Sequence, residues 1–98
     1  MPEFAYQVEV AKKCKRLAAD LQAGHIEFAD YYEKALLCLK ADPYNRTRFY
    51  NIKKLSNVPK QTGQFRLRIG RWRFRYDIED KKVVLYYCGL RREDTYRA

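Results

Sequence analysis

The chain is short of most groups that enzymes rely on. It has one histidine, His25, and three cysteines, Cys14, Cys38 and Cys88. The cysteines are odd in number and lack metal-ligand spacing. Cys14 and Cys38 fall on apolar positions of helical patterns, and Cys88 ends an apolar strand, so all three read as small core residues in a reducing compartment. No Gly-rich phosphate loop and no Ser/His/Asp or Cys/His arrangement is present. Asp77, Glu79 and Asp80 lie together and read as turn residues, so the expected metal and cofactor content is none. No apolar run approaches membrane-spanning length, and the N-terminus "MPEFAYQVEVAKKCKR" has no apolar signal core. The expectation is a cytoplasmic protein without a membrane partner. Repeats, low-complexity segments and linkers are also missing, which leaves residues 1–98 as one domain.

Acid is missing where base is dense. The chain has 21 Lys+Arg against 12 Asp+Glu, a formal net charge of +9. Between residues 43 and 76 there is no acid, yet there are ten basic residues: Arg46, Arg48, Lys53, Lys54, Lys60, Arg66, Arg68, Arg71, Arg73 and Arg75. The remainder carries eleven basic and twelve acidic groups, so this window holds the whole excess. Charge concentrated in this way points to a site for a polyanion. Hydrophobic residues make up 47% and aromatics 15%, as a globular domain requires.

The periodicity is legible over most of the chain. Residues 4–10 alternate as a first strand. From Ala11 the apolar spacing becomes helical and stops near Gly24. A second helix is expected over 25–40, with Phe28, Ala29, Tyr32, Ala35, Leu36 and Leu39 as its buried stripe. Pro43 ends it by disfavouring a helical Asp42. The segment 49–55 is open between strand and irregular chain, and 56–63 reads as loop. Strands follow over 64–69, 72–78 and 82–88. The tail "RREDTYRA" is polar and suits a last helical turn. The order β-α-α-β-β-β implies an α+β fold: two N-terminal helices packed on one face of a small, mostly antiparallel sheet.

The hairpin in "FRLRIGRWRFRY" sets its own register. With Gly70-Arg71 as a two-residue type II′ loop, Ile69 pairs with Trp72 and Phe65 with Tyr76. One face then carries Phe65, Leu67, Ile69, Trp72, Phe74 and Tyr76. The other carries Arg66 opposite Arg75 and Arg68 opposite Arg73. Like charges placed opposite one another cost under ~1 kcal/mol per pair, and guanidinium grips phosphate bidentately. The face therefore reads as a phosphate-binding surface and not merely a solvated one. Metal-free RNA cutting usually employs two histidines, or a histidine and a carboxylate. The lone His25, at a helix start and far in sequence from the arginines, reads as a surface or capping residue. What remains for chemistry is Arg plus Tyr: a phenol among guanidinium groups has a lowered pKa and can take a proton from a ribose 2′-OH.

The stretch "FRLRIGRWRFRYDIEDKKVVLYYCGLRREDTYR" resembles the C-terminal half of RelE-type toxins of bacterial and archaeal toxin–antitoxin pairs. The shared pattern is an Arg-containing strand, a turn, "G-aromatic-R-aromatic-x-Y" or a close variant, an apolar strand, then "Gly…Arg…Tyr". Element order and length agree over nearly the whole chain, including "LKADP" after the second helix. The resemblance implies an mRNA endonuclease that cuts ribosome-bound mRNA by 2′-OH attack, leaves a cyclic phosphate and inhibits translation. It also implies a cognate RelB-like antitoxin with an acidic segment, contact with ribosomal RNA, and operator DNA reached only through the antitoxin complex. By position, Arg73 matches the arginine that stabilises the transition state. Arg91 matches the arginine assigned to the leaving group, with Arg92 adjacent, and Tyr96 matches the terminal tyrosine proposed as base. Arg66, Arg68, Arg71, Arg75, Lys53, Lys54 and Arg92 are the expected RNA-binding set. Arg66 and Arg68 stand where RelE has lysines, so their role here is electrostatic only, since arginine keeps its proton. The alternatives are a ParE-like DNA gyrase inhibitor, which shares the fold but generally lacks this Arg and Tyr set, and a catalytically inactive RNA-binding member.

Overall fold

The computed structural model describes residues 5–90. The first strand, β1 (Gln7–Val10), turns Val8 and Val10 inward and Gln7 and Glu9 outward. Its pairing begins at Gln7, later than the alternation from residue 4 suggests. The helix α1 (Lys12–Gly24) buries Cys14 and Ala18, with Leu17 and Leu21 half-buried on the same stripe. It stops where the sequence places a glycine, and the His25 N–H donates back to the Leu21 carbonyl at 2.8 Å.

Residues 25–27 form the connection, so α2 (Phe28–Ala41) starts three residues after the expected position. Phe28, Ala35, Cys38 and Leu39 are buried as its core stripe. Ala29, expected inside, is exposed. It sits about 100° around the helix from Phe28 and so lies at the margin of the stripe. Cys38, on the other margin, is inside instead. Asp42 caps the helix end and Pro43 follows it. The Asp42 carboxylate then accepts from the Arg46 N–H, the Thr47 N–H and the Thr47 hydroxyl at 2.8, 3.1 and 2.6 Å. Burial works against its charge, but the bonds from Thr47 and Arg46 hold its carboxyl below the usual value.

The ambiguous segment contains a real strand, β2 (Asn51–Lys54), antiparallel to β3 (Phe65–Ile69). The sheet is completed by β4 (Trp72–Glu79) and β5 (Lys82–Leu90), in the order β1-β5-β4-β3-β2. Among the described residues, only the β1–β5 pairing is parallel. The helices cover one face, where Cys14, Phe28, Leu39, Leu67, Trp72, Phe74, Tyr76 and Leu85 form one core. Each large side chain enclosed there contributes roughly 1.5–3 kcal/mol. The Tyr76 hydroxyl, buried among them, donates to the Pro43 carbonyl at 2.7 Å, which ties the sheet to the end of α2.

Asp77 corrects the sequence reading. It is not a turn residue but a mid-strand β4 residue, 4% exposed. Its carboxylate accepts the backbone N–H of Gln61 and of Gln64, at 2.5 and 2.6 Å. The loop 55–64 is thereby pinned across the side of the sheet opposite the helices. Asp80 does occupy the β4–β5 turn, at φ +56°.

Candidate nucleic-acid interface

The β3–β4 hairpin has the register that its sequence dictates. Ile69 faces Trp72, Arg68 faces Arg73, Leu67 faces Phe74, Arg66 faces Arg75 and Phe65 faces Tyr76. Gly70 takes φ +58° at the first loop position, while Arg71 stays at negative φ, the combination of a type II′ turn. Leu67, Trp72, Phe74 and Tyr76 are buried under the helices. The four arginines consequently share the side of the sheet that the helices leave uncovered.

They are not an even rank of free cations. Arg68 is exposed, Arg66 and Arg75 are half-buried, and Arg73 is only 4% exposed. Two features among the described residues contribute to the grading. First, the loop 55–64 lies over part of the face, and the Gly63 carbonyl accepts from both Arg75 Nε and Arg75 Nη2, at 3.2 and 3.1 Å. Second, Arg73 folds along the hairpin, where its Nη1 donates to the carbonyls of Gly70 and Trp72, at 3.2 Å each. Arg66 Nε is buried without a hydrogen-bond partner among the described residues. An enclosed donor left over in this way is a place where an acceptor from outside gains most.

Two neighbouring strands extend the face into rows. Lys53 on β2 pairs with Arg66, Arg66 with Arg75, and Arg75 with Tyr87 on β5. The next row runs Asn51, Arg68, Arg73, Gly89. Tyr87 is thus an aromatic beside the arginines that the sequence reading did not single out. The "LYYCG" run read simply as an apolar strand, and only the register, shifted by a bulge at Arg75/Tyr76, assigns Tyr87 to this side.

Two expected RNA-binding residues stand apart. Lys54 pairs with Phe65 and lies with its ammonium 5.7 Å from that ring, on the opposite side from Arg66. Arg71, at the hairpin tip, hydrogen-bonds Glu27 and approaches His25 Nδ1 at 3.3 Å. Its guanidinium also stands 5.2 Å from the Trp72 ring. His25 is therefore far from the arginines in sequence but near the hairpin tip in space, with its ring edge-to-face on Trp72 at 5.2 Å. A bond from its own backbone N–H, together with Arg71, holds the Glu27 carboxyl below the usual value. Arg91, Arg92 and Tyr96 lie outside the described residues. The last described residue, Leu90, pairs with Trp72, so β5 ends beside the hairpin tip.

Among the described residues, no group of three or more His, Cys, Asp or Glu is placed to hold a metal ion, and no helix is long and apolar enough to cross a membrane.

No protein-family model matches the sequence, and no curated protein matches it either. The structure does have a solved counterpart. It is similar to a chain of the archaeal RelE–RelB complex from Pyrococcus horikoshii OT3, with a TM-score of 0.58 and 20% identity. The match covers 89% of this chain and 96% of the other. The fold is therefore RelE-like, α+β with two helices on a mostly antiparallel five-stranded sheet.

Proposed function

We propose that this protein is the toxin of a toxin–antitoxin pair, a metal-independent endoribonuclease that cuts mRNA on the ribosome in the cytoplasm. The observation that carries the proposal is the sheet face opposite the helices, with Arg66 opposite Arg75 and Arg68 opposite Arg73. The covered side of the same two strands supplies a core, so stability did not require cations on the other side. Paired guanidinium groups at strand spacing suit successive phosphates of one chain.

On this reading the arginine face holds the RNA backbone, with Lys53 continuing it at the sheet edge. Arg73, fixed by two carbonyls, presents positive charge that need not reorganise as charge builds on the scissile phosphate. Tyr96 removes the proton of the ribose 2′-OH, the 2′-oxygen attacks the adjacent phosphorus, and the 5′-oxygen leaves. The departing 5′-oxygen takes a proton from solvent water, so the products are a cyclic phosphate and a free 5′-hydroxyl. Arg91, or its neighbour Arg92, balances charge at the leaving oxygen. A RelB-like antitoxin with an acidic segment neutralises the protein by covering this face, and operator DNA is reached through that complex. The basic stretch from Arg46 to Lys60 meets ribosomal RNA or the antitoxin.

The test is a cell-free translation reaction with mapping of mRNA 5′ ends. Wild type is expected to produce discrete new ends within codons, only when ribosomes are present. The double variant Arg73→Ala, Tyr96→Phe is expected to lose them. Intact mRNA with wild type overturns the nuclease reading, and loss of gyrase supercoiling in the same preparation would assign the face to protein docking.

A further inference from the structure

We propose that Cys14 and Cys88 form a thiol oxidation site, at which a small peroxide converts the pair into an intramolecular disulfide that staples α1 to β5. The proposal goes beyond the RNA-cutting reading and does not depend on it.

The observation is a direct contact between two elements distant in the chain. Cys14 Sγ lies 3.7 Å from Cys88 Sγ, one on the buried stripe of α1 and the other near the end of β5. Their exposures are 0% and 1%. Disulfide sulfurs stand about 2.05 Å apart, so closure requires an approach of about 1.7 Å. The contact also makes the two thiols unequal. Their hydrogen bond draws Cys14 below the ordinary thiol value against the opposing effect of burial, and it pushes Cys88 above that value together with burial. The thiolate is the nucleophile, and the attacking role is assigned to Cys14 and the resolving role to Cys88. Cys38 differs: it sits on α2, and burial pushes its thiol up to about 12, as for an inert core residue.

The chemistry balances with peroxide as the oxidant. The Cys14 thiolate attacks one peroxide oxygen, the O–O bond breaks, and the departing hydroxide takes a proton to leave as water. Cys14 is then a sulfenic acid. The Cys88 sulfur attacks the Cys14 sulfur, the S–O bond breaks, and the second oxygen leaves as water with the Cys88 proton. Both thiols are oxidised and one peroxide is reduced to two waters. The enclosure of both sulfurs favours an oxidant of this size over a bulky disulfide, because entry depends on brief local opening.

The staple would have an address in the fold. Cys88 pairs with Phe74, and the next residue, Gly89, pairs with Arg73. A bond at Cys88 therefore fixes β5 one residue from the arginine row. It also joins residues 74 apart in sequence, a long closed loop of the kind that restricts the unfolded chain most.

The test treats folded full-length protein with millimolar hydrogen peroxide, followed by alkylation of remaining thiols, non-reducing digestion and mass spectrometry. The expected result is an intact mass lower by about 2 Da, a Cys14–Cys88 cross-link and an alkylated Cys38. The melting temperature is expected to rise by roughly 10 °C and to return on reduction with dithiothreitol. Cys38→Ser, which leaves the pair intact, is expected to form the same bond. An unchanged mass in protein that stays folded overturns the proposal. So does a cross-link through Cys38 or between two chains, and so does over-oxidation of Cys14 without a link.

Discussion

Arg75 and Gly63 hold one another across the uncovered side of the sheet. Both Nε and Nη2 of Arg75 donate to the Gly63 carbonyl. At the same point a Cβ on residue 63 would stand 2.6 Å from the Arg75 Cβ, and Gly63 has φ +97°. Close approach and backbone conformation thus demand the same residue. Gly63→Ala is expected to destabilise the fold by about 2 kcal/mol or more, read as a lower urea midpoint. Wild-type stability in that variant would mean that the loop does not lie against Arg75 in solution.

Asp77 secures the same loop from the strand side by accepting two backbone N–H groups. Asp77→Ala leaves both donors without their acceptor, and the expected cost is roughly 2–3 kcal/mol. The Gln61 and Gln64 amides are expected to lose hydrogen-exchange protection first. Equal protection in wild type and variant would contradict the assigned bonds.

Asp42 gives the fold an acid-sensitive joint. Its folded pKa is depressed below the ordinary carboxylate value. Its contribution is therefore present above that ordinary value, about pH 4, and is lost as pH falls through the lower folded one. Asp42→Asn is expected to be less stable near neutrality by roughly 1–2 kcal/mol. Its stability is also expected to fall less steeply than wild type below about pH 4. Parallel stability-versus-pH curves would remove Asp42 from this role.

Arg68 and Arg71 are separated by only Ile69 and Gly70, yet they are assigned different work. Arg68 is exposed within the arginine row, whereas Arg71 is engaged with Glu27 and His25. Arg68→Ala is expected to weaken binding of a single-stranded RNA and to reduce the salt slope by about one. Arg71→Ala is expected to leave that slope nearly unchanged. Fluorescence anisotropy at several salt concentrations distinguishes the two, and equal effects would erase the distinction between tip and face.

The hairpin was readable because two independent signals agreed. Gly70 marked the turn, and the alternation on either side admitted a single register that put every large apolar residue on one face. The helices were readable from their spacing, although Ala29 was misplaced because a residue on the margin of a stripe has no strong preference. Asp77 was misread for a different reason. Its neighbours Glu79 and Asp80 make a turn composition, and the partners that explain Asp77 lie thirteen and sixteen residues earlier. Local pattern carries no trace of such a bond. The face was legible as a set of arginines, but its grading was not, since Arg73 and Arg75 are engaged by backbone carbonyls that composition does not encode. Tyr87 required the bulge, and a bulge leaves no mark in an apolar run.

The parallel pairing of β1 with β5 has a consequence for the order of assembly. Gln7–Val10 leave the ribosome well before their partners Lys82–Leu85, which lie 75 residues further along the chain. The strand β1 thus has no edge to join until β5 has been made, and the β3–β4 hairpin, local in sequence, is complete before it. Truncation shortly before Lys82 removes the partner of β1 and of one whole edge of β4 together. For this topology, the pairing between the strands farthest apart in sequence closes the sheet last.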